Sequence, residues 1–267
     1  MLAKLEIFAE LEKINAPRES VVLVHSSLRA VGSIEGRGEG FLEALIEYFT
    51  ADGGILCIPT HTWANISDEN KITLDLISPS TCIGTLPDIA ANHRNAVRSM
   101  HPTHSMAIFG EKSRVLDFAS GEEKLTTPAH PSGCYGKIFE SDGYILLIGV
   151  SHNRNTYLHC VEEMLCIPNR IAKDAKNATI RHKNGEIEHR TMHPHEAVGI
   201  GDVSLRYPKY EEAFRYHNCI VDGKLGNALF QLCSARKMKE VMDLIYQRSH
   251  GEELLYDDAP INKNFYE

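Results

Sequence analysis

Short apolar runs that alternate with amphipathic stretches occupy the first part of the chain, and this alternation sets the fold class. Strands are expected at 21–24, 55–59, 106–109 and 144–150, and helices at 2–14, 41–49, 86–93 and 156–165. The run "YILLIGV" at 144–150 is apolar at nearly every position, which is typical of a central strand buried on both faces. The alternation predicts a layered α/β/α fold with helices on both faces of a sheet.

The second part of the chain loses this regularity, and we expect a more irregular C-terminal half. Asn184-Gly185 separates two alternating runs, which is a hairpin signal. The stretch 219–235 is expected to form short strands with a turn at Asp222-Gly223, because Asp and Gly favour tight turns. Further helices are expected at 206–217 and 235–248.

The C-terminal tail and the absence of internal boundaries in the sequence predict the domain organisation. The tail at 251–267 is polar and expected to be irregular. The sequence contains no internal repeat, low-complexity stretch or clear linker. We therefore expect a single α/β domain over 1–267 with a mixed sheet, whose core spans about 15–245.

Composition narrows the functional classes. The chain has 267 residues, 43% of them hydrophobic, and a net charge of -8 at pH 7, which argues against binding to nucleic acid or anionic membranes. It contains no run of about 18 apolar residues and no apolar signal core at its start, so we expect a cytoplasmic protein. The 7 cysteines form no Cys-x-x-Cys pair, which is typical of reduced thiols.

The first stretch that could carry chemistry is "VVLVHSSLRAVG" at 21–32. A strand that ends in small hydroxyl residues before a glycine-rich loop and a helix can present backbone N–H groups to a phosphate. The stretch matches neither a Walker loop nor the dinucleotide fingerprint. A polar turn after a core strand is the structural alternative.

The second stretch is "RSMHPTHSMAIFG" at 98–110. Arg98, Ser99 and Ser105 stand near an expected strand and suit an anionic group, because guanidinium pairs with phosphate. His101 and His104 are either metal ligands or hydrogen-bonded loop residues. Their spacing is poor for two ligands on a strand, and no Cys or carboxylate ligand accompanies them, so we expect no metal.

The third stretch is "GVSHNRNTYLHCVEEML" at 149–165, where a buried strand ends and a helix starts near Thr156. His159 and Glu162 lie three residues apart on one helix face. A carboxylate orients an imidazole and stabilises its protonated form, so the pair can act as a general base. The alternatives are an ordinary surface pair, or Cys134 as a nucleophile served by His159, although a buried structural cysteine is the commoner case.

These stretches, in this order and spacing, resemble the aminoglycoside 3-N-acetyltransferase family, whose fold is unrelated to the large GNAT group. The segments that carry the resemblance are "VVLVHSSLRAVG", "GTLPDIAANHRNAVRSMHPTHSMAIFG", "YGKIFESDGYILLIGVSHNRNTYLHCVEE", the "IPNR" that follows it, and "GKLGNALFQLCSARKMKEVM". The "RS-x-HP-x-x-S" pattern of the second segment is characteristic of the family.

The resemblance implies an acyltransferase that moves an acetyl group directly from acetyl-CoA to a primary amine of an aminoglycoside or related amino sugar. His159 would be the general base, with Glu162 behind it and Thr156 near the thioester sulfur. The acetyl-CoA groove would be formed by Ser26, Ser27, Leu28, Arg29, Val31, Gly32, Arg98, Ser99, His101 and Ser105. The expected partner is a small-molecule amine, and family members are monomers or homodimers.

One departure bears on the acceptor. Many family members carry an acidic residue just before a Ser-Pro pair, where this chain has "PSGC" at 131–134. Without that residue, Glu162 or Glu163 would be the acidic group near His159, or His130 would act there in a different role. The stretch 168–220 mixes Arg and His with its acids, which predicts a less cationic acceptor than the polycationic antibiotics. A Cys134- or Cys160-dependent acyl transferase or amidohydrolase, and a non-catalytic or metal-binding member, are the competing hypotheses.

Overall fold

The computed structural model describes residues 1–66, 71–252 and 259–267, and its centre is a seven-stranded mixed sheet. In chain order the strands are β1 (Val21–Ser26), β2 (Ile55–Pro59), β3 (Leu74–Asp75), β4 (Val97–Arg98), β5 (Met106–Phe109), β6 (Tyr144–Ile148), β7 (Lys176–Arg181), β8 (Ile187–Met192), β9 (Ile220–Leu225) and β10 (Ala228–Ser234). The large sheet has the order β4-β5-β2-β1-β6-β10-β9, and β3-β7-β8 form a separate three-stranded sheet.

Only the central strands of the large sheet are parallel. β1 pairs in parallel with both β2 and β6, whereas β5 pairs antiparallel with β2 and β10 pairs antiparallel with β6. The carboxyl ends of β1, β2 and β6 therefore meet at one edge of the sheet, together with the beginning of β5.

Helices cover both faces of this sheet. They are α1 (Lys4–Lys13), α2 (Leu28–Val31), α3 (Arg37–Thr50), α4 (Thr85–Asn92), α5 (Lys112–Ala119), α6 (Cys134–Glu140), α7 (Tyr157–Met164), α8 (Glu211–Tyr216) and α9 (Ala235–Arg248). In the described parts of the chain, no helix is both long and apolar enough to cross a membrane.

The side chains of β1 divide between two cores. Val21 and Leu23 pack into the core beneath α5, α6, α7 and α9, while Val22 and Val24 pack into the core beneath α1, α3 and α4. A strand sends alternate side chains to opposite faces, so a strand buried on both sides must be apolar throughout. The predicted layered α/β/α fold with a mixed sheet is confirmed.

The predicted bounds of strands and helices agree best with the structure where polar or turn-forming residues flank the element. The predicted strands at 55–59 and 106–109 and the helix at 235–248 are confirmed at both ends. The strand predicted over 144–150 ends instead at Ile148, because Gly149 takes a φ of 63° and turns the chain out of the sheet. The helix expected at 206–217 is a 3₁₀ helix over Val203–Tyr210 followed by α8, and Pro208 lacks the N–H that a continuous α-helix needs.

The two predicted turns have opposite outcomes. Asn184-Gly185 lies in the turn between β7 and β8, so that hairpin is confirmed. The turn predicted at Asp222-Gly223 is wrong, because both residues lie inside β9 and the chain turns at Gly226 with a φ of 58°. Gly223 is there for packing, since a Cβ at this position would lie 2.2 Å from the Phe230 ring.

Replacing Gly223 with alanine is therefore expected to destabilise the fold. Phe230 is buried in the core beneath α1 and α3, so its ring must shift to admit the new methyl group. Overpacking of this kind costs about 1–3 kcal/mol of unfolding free energy. Urea denaturation measures the loss, with exposed Leu229→Ala in the neighbouring strand as the control that should change little. Equal stability of Gly223→Ala and the parent chain would contradict the packing role.

The tail at 251–267 is polar in composition, but two of its side chains are buried in the core. Residues 253–258 of the expected irregular segment lie outside the described residues. Beyond them, Ile261 and Tyr266 are buried and pack into the core beneath α9, next to a short 3₁₀ helix at Lys263–Phe265. The end of the chain is thus part of the packed structure.

Candidate active site

The candidate site lies where the carboxyl ends of the parallel strands meet. His25 and Ser26 end β1, His61 follows β2, and the 149–156 loop follows β6. Ser105 immediately precedes β5, whose first residue pairs with the last residue of β2. Open α/β sheets bind ligands at this edge because loops diverge there and leave a crevice.

His159 is hydrogen-bonded to a tyrosine that the sequence analysis did not identify as a site residue. Its Nδ1 lies 2.6 Å from the Tyr207 hydroxyl oxygen, and that hydroxyl donates to Glu162 Oε2 over 2.7 Å. A tyrosine has one hydroxyl proton, so its oxygen accepts the Nδ1–H of His159. This tautomer leaves Nε2 as the basic nitrogen. The His159 side chain is 16% exposed, which leaves part of the ring open to a ligand.

The carboxylate behind this tyrosine is buried and charged. Burial alone would raise the pKa of Glu162, but hydrogen bonding and charge from His159, the Arg170 guanidinium and the Tyr207 hydroxyl together hold it below its ordinary value. Arg170 Nε donates to Glu162 Oε1 over 2.7 Å, and both side chains are almost fully buried. Burial, reinforced by the Glu162 charge, raises the pKa of Tyr207 well above its ordinary value, so Tyr207 keeps its proton.

The predicted pair of His159 and Glu162 is therefore brought together, but mainly through an intermediary. Their closest atoms, Nδ1 and Oε2, are 3.5 Å apart, longer than either bond to Tyr207. Glu163, the other acid considered, faces elsewhere and accepts from Thr127 Oγ1 at 2.5 Å and from the Ala129 amide at 3.0 Å. Of the groups proposed to replace the missing acid, Glu162 is the one linked to His159, through Tyr207.

Thr156 immediately precedes α7 and is partly exposed. Thr156 lies beside Tyr135, whose hydroxyl is 2.7 Å from His61 Nε2. Tyr135 is buried on α6. His159 and Thr156 share one helical turn, because the His159 amide donates to the Thr156 carbonyl over 3.1 Å.

The residues between 26 and 32 that are proposed for the acetyl-CoA groove lie at the end of β1 and along α2. Ser27 caps this helix by accepting from the Ala30 amide at 3.3 Å. Ser26 Oγ is buried, and within the described chain it has no hydrogen-bond partner. The remaining proposed residues lie along the helix and at its end: Leu28 is partly buried against the core, Arg29 is exposed, Val31 is in the core, and Gly32 has a φ of 93°.

The proposed residues of the 98–105 segment are bound mostly to their own neighbours. Arg98 Nη2 donates to Ser105 Oγ over 2.7 Å, and Ser99 Oγ accepts from the Met106 amide over 3.1 Å. His101 Nε2 lies 3.0 Å from the Thr127 carbonyl oxygen. Ser99, His101 and Ser105 thus have structural bonds, whereas Arg98 Nε and Nη1 are buried and lack a hydrogen-bond partner within the described chain.

Histidines line the floor of this edge. The ring centroids of His159 and His195 are 4.1 Å apart, those of His195 and His104 are 5.2 Å apart, and those of His104 and His61 are 4.4 Å apart. Burial, with repulsion from neighbouring imidazoles, lowers the pKa of His61 and His104 well below the ordinary value. Desolvation, followed by repulsion from His159, lowers that of His195 to about 4. His61, His104 and His195 are therefore uncharged at neutral pH.

These imidazoles make the fold acid-sensitive. Desolvation is the main cause that lowers the pKa of His25 to about 3 and that of His152 to about 4, from the ordinary value of 6.5. Below pH 6.5 the unfolded chain binds protons that the folded chain refuses, so stability is fully present above that pH and is lost as the pH falls toward 4. Each such histidine removes up to about 1.4 kcal/mol of unfolding free energy per pH unit.

Urea denaturation at about pH 7 and about pH 5 measures this loss in a range above the titration of most carboxylates. We expect the unfolding free energy to fall clearly between the two. His152→Phe, which keeps a ring against Phe214, should reduce the slope. An unchanged unfolding free energy across this range would contradict the neutral buried state of the histidines.

The alternatives of metal and thiol chemistry can be compared with this geometry. Within 1–66, 71–252 and 259–267, no group of three or more His, Cys, Asp or Glu side chains could hold a metal ion. All seven cysteines lie in these ranges and are free thiols. Cys134 and Cys160 are fully buried, and burial raises the pKa of both thiols well above the ordinary value, so neither offers a thiolate.

Several residues of the site were not found by sequence reasoning. They are His61, Tyr135, Arg170, His195 and Tyr207. Arg170 ends the "IPNR" segment that the resemblance singled out, and that segment was its only signal. Tyr207 lies 48 positions from His159 along the chain, so no local spacing links them.

The fold and the site define a mixed α/β protein with a hydrogen-bonded histidine, tyrosine and buried carboxylate at the carboxyl ends of its parallel strands. A family model described as "Aminoglycoside 3-N-acetyltransferase" matches residues 23–246. The chain belongs to this family, as the resemblance indicated.

Individual relatives agree with this assignment. Aminoglycoside N(3)-acetyltransferase IV of Salmonella is 31% identical over 172 residues, which are 62% of this chain and 60% of the relative, so the chain spans less than two thirds of that protein. A crystal structure of a histidine-to-alanine mutant of aminoglycoside acetyltransferase AAC(3)-IVa with gentamicin superposes with a TM-score of 0.76 at 24% identity, over 93% of this chain and 90% of the other. The AAC-IIIb structure with CoASH gives a TM-score of 0.77 at 17% identity, over 92% and 97%. At these identities the structural likenesses show the fold.

Proposed function

We propose that this protein is an N-acetyltransferase that moves the acetyl group of acetyl-CoA directly to a primary amine of an aminoglycoside or related amino sugar, with His159 as general base. The observation that carries the proposal is the fixed tautomer of His159, whose Nδ1 is bound to Tyr207 while the ring keeps an exposed edge. The family name, and the named ligands of the two structural neighbours, support the choice of substrates.

The reaction needs a neutral amine. A free amine with a pKa near 10 is almost wholly protonated at pH 7. His159 Nε2 would take the proton, and the amine nitrogen would then attack the thioester carbonyl carbon. The imidazolium formed in this step is stabilised through Tyr207 by the Glu162 charge, which Arg170 holds in place.

The second half of the reaction expels the thiol. The nitrogen that has attacked still carries a second proton that it must lose to become an amide. His159 Nε2, having passed the ammonium proton to solvent, would take this second proton and give it to the CoA thiolate as the tetrahedral intermediate collapses and the C–S bond breaks. Thr156, at the start of the turn that carries His159, would donate a hydrogen bond to the developing negative charge on the carbonyl oxygen or the thiolate. No covalent acetyl-enzyme is required, in keeping with the burial of Cys134 and Cys160.

The acetyl-CoA groove would run along the same edge of the sheet. The pantetheine and pyrophosphate of acetyl-CoA would lie against Ser26, Ser27 and the backbone of α2 up to Gly32. Leu28, Arg29 and Val31 would form that helix. Arg98 would be the cationic member, because its buried guanidinium has donors that no described residue satisfies. Ser99, His101 and Ser105 would shape the groove through the bonds that hold this segment.

The acceptor is expected to be less cationic than the classical polycationic antibiotics. Both acids of α7 near His159 already have protein partners: Glu162 has Tyr207 and Arg170, and Glu163 has Thr127 and the Ala129 amide. Carboxylates engaged in this way are poorly placed to bind additional ammonium groups. Amino sugars with fewer ammonium groups should therefore rank above gentamicin-type acceptors.

A thiol-release assay with acetyl-CoA and a panel of aminoglycosides, amino sugars and sugar-nucleotide amines tests the proposal. We expect release with at least one acceptor, retained when Cys134 and Cys160 are both replaced by alanine. Loss of activity in a folded double variant would favour the thiol mechanism instead. Silence across the panel, with no acetyl-CoA binding by calorimetry, would overturn the proposed function. Efficient turnover of gentamicin-type acceptors would overturn the acceptor preference alone.

A further inference from the structure

The imidazole of His159 is covered on one face by a second imidazole. The His195 ring lies parallel to it within 23°, with centroids 4.1 Å apart, which is a stacked arrangement. His195 comes from the segment after β8, and its backbone forms an isolated antiparallel bridge with Ile171. The Glu196 amide also donates to the Arg170 carbonyl over 3.0 Å, so the segment is anchored next to Glu162's partner.

The surroundings of His195 hold the ring without using it as a ligand. Its Nε2 is 3.6 Å from Glu163 Oε1, beyond a good hydrogen bond, and the His104 ring contacts it edge to face. The ionisable groups that act on it are His159, Glu162 and Glu163 on α7, together with His104 and His61 from the neighbouring strand ends. Repulsion among the imidazoles opposes a second positive charge next to His159.

Two contacts then orient the His159 ring. The Tyr207 hydroxyl fixes the direction of Nδ1, but one hydrogen bond leaves the ring free to tilt about that axis. The stack against His195 limits this freedom, because tilting toward His195 would make the two rings overlap and tilting away would lose their contact. Nε2 is left as the atom that faces a reactant.

We propose that His195 is a positioning residue for the base, whose uncharged ring packs face-on against His159 and sets the plane in which Nε2 meets the acceptor amine. This inference rests on the proposed function, since it assigns His195 a part in the same reaction. An uncharged ring also accepts the transient imidazolium of His159 at its face, whereas a second cation would oppose it.

The proposal separates a flat ring from an imidazole nitrogen. His195→Phe keeps the ring face and removes both nitrogens, whereas His195→Ala removes the ring. We expect His195→Ala to lower kcat by about 10–100-fold with a smaller change in KM, because small misplacements of a catalytic group cost rate of this order. His195→Phe should restore most of that loss. His193→Ala, in the same segment but bonded to the Ala172 carbonyl, is the matched control and should behave like the parent.

A readout that does not depend on turnover keeps the test independent of the proposed function. In the ¹H–¹³C spectrum of histidine-labelled protein, the His159 ring signal should carry a ring-current shift that His195→Ala abolishes and His195→Phe retains. If acetyl transfer itself is absent, this spectrum still decides whether the stack exists in solution. An unchanged His159 signal in His195→Ala would overturn the proposal. Equal kcat losses in the Ala and Phe variants would also overturn it, by assigning the role to a His195 nitrogen.

Discussion

Replacing His159 with alanine is expected to lower kcat/KM for acetyl transfer by about 10²–10⁴-fold, the usual contribution of a general base. The loss follows from the proposed route of the ammonium proton, which is to Nε2 of an imidazole whose Nδ1 is held by Tyr207. Steady-state kinetics with the best acceptor of the panel measures it. Acetyl-CoA binding should survive, because the proposed groove lies along β1 and α2.

The control for this result is another histidine replacement. His189→Ala removes an exposed imidazole on β8 that touches Thr179, and it should leave kcat/KM unchanged. His159→Ala should also keep the parent's unfolding transition, since the side chain is partly exposed. A folded His159→Ala variant with nearly full activity would eliminate His159 as the base.

Replacing Glu162 with glutamine is expected to cost about 3–5 kcal/mol of unfolding free energy, because it replaces the charged acceptor of the buried Arg170 guanidinium with a neutral amide. Glu162 and Arg170 are 2% and 4% exposed, so solvent cannot substitute for the lost carboxylate. Glutamine keeps the volume, which separates the effect of charge from that of a cavity. Urea denaturation at neutral pH measures the change.

Two comparisons sharpen this result. Glu212→Gln removes an exposed partner of Lys263 and should cost no more than about 1 kcal/mol. Adding Arg170→Met to Glu162→Gln should recover part of the loss, because replacing both members of a buried ion pair by uncharged groups is often tolerated. If Glu162→Gln alone is as stable as the parent, the buried charge pair does not hold this part of the fold.

Most of the fold was predictable from local sequence patterns. β2 and β5 were placed at their bounds because apolar runs with clear flanks leave little choice of register. The turn at Asp222-Gly223 was wrong because a Gly signal has two physical meanings. It marks a turn when φ is positive, as at Gly226, and a close approach when a ring packs on the backbone, as Phe230 does at Gly223.

The candidate site was predictable only where its residues are neighbours along the chain. His159 and Glu162 lie three positions apart on one helix, so their pairing was visible in the sequence. Tyr207, which joins them, and His195, which stacks on His159, come from segments whose position is set by tertiary packing. No residue spacing encodes such contacts, and the family resemblance did not name these two side chains.

The most direct test of the proposed mechanism is to measure released CoA thiol and N-acetylated acceptor in the same reaction, by thiol titration and mass spectrometry, for the parent and for His159→Ala. Direct transfer with His159 as base predicts one acetylated amine for each thiol released, no acetyl group on the protein, and loss of both products together in the variant. Thiol release without acetylated acceptor, or an acetyl group that accumulates on the enzyme, would contradict it.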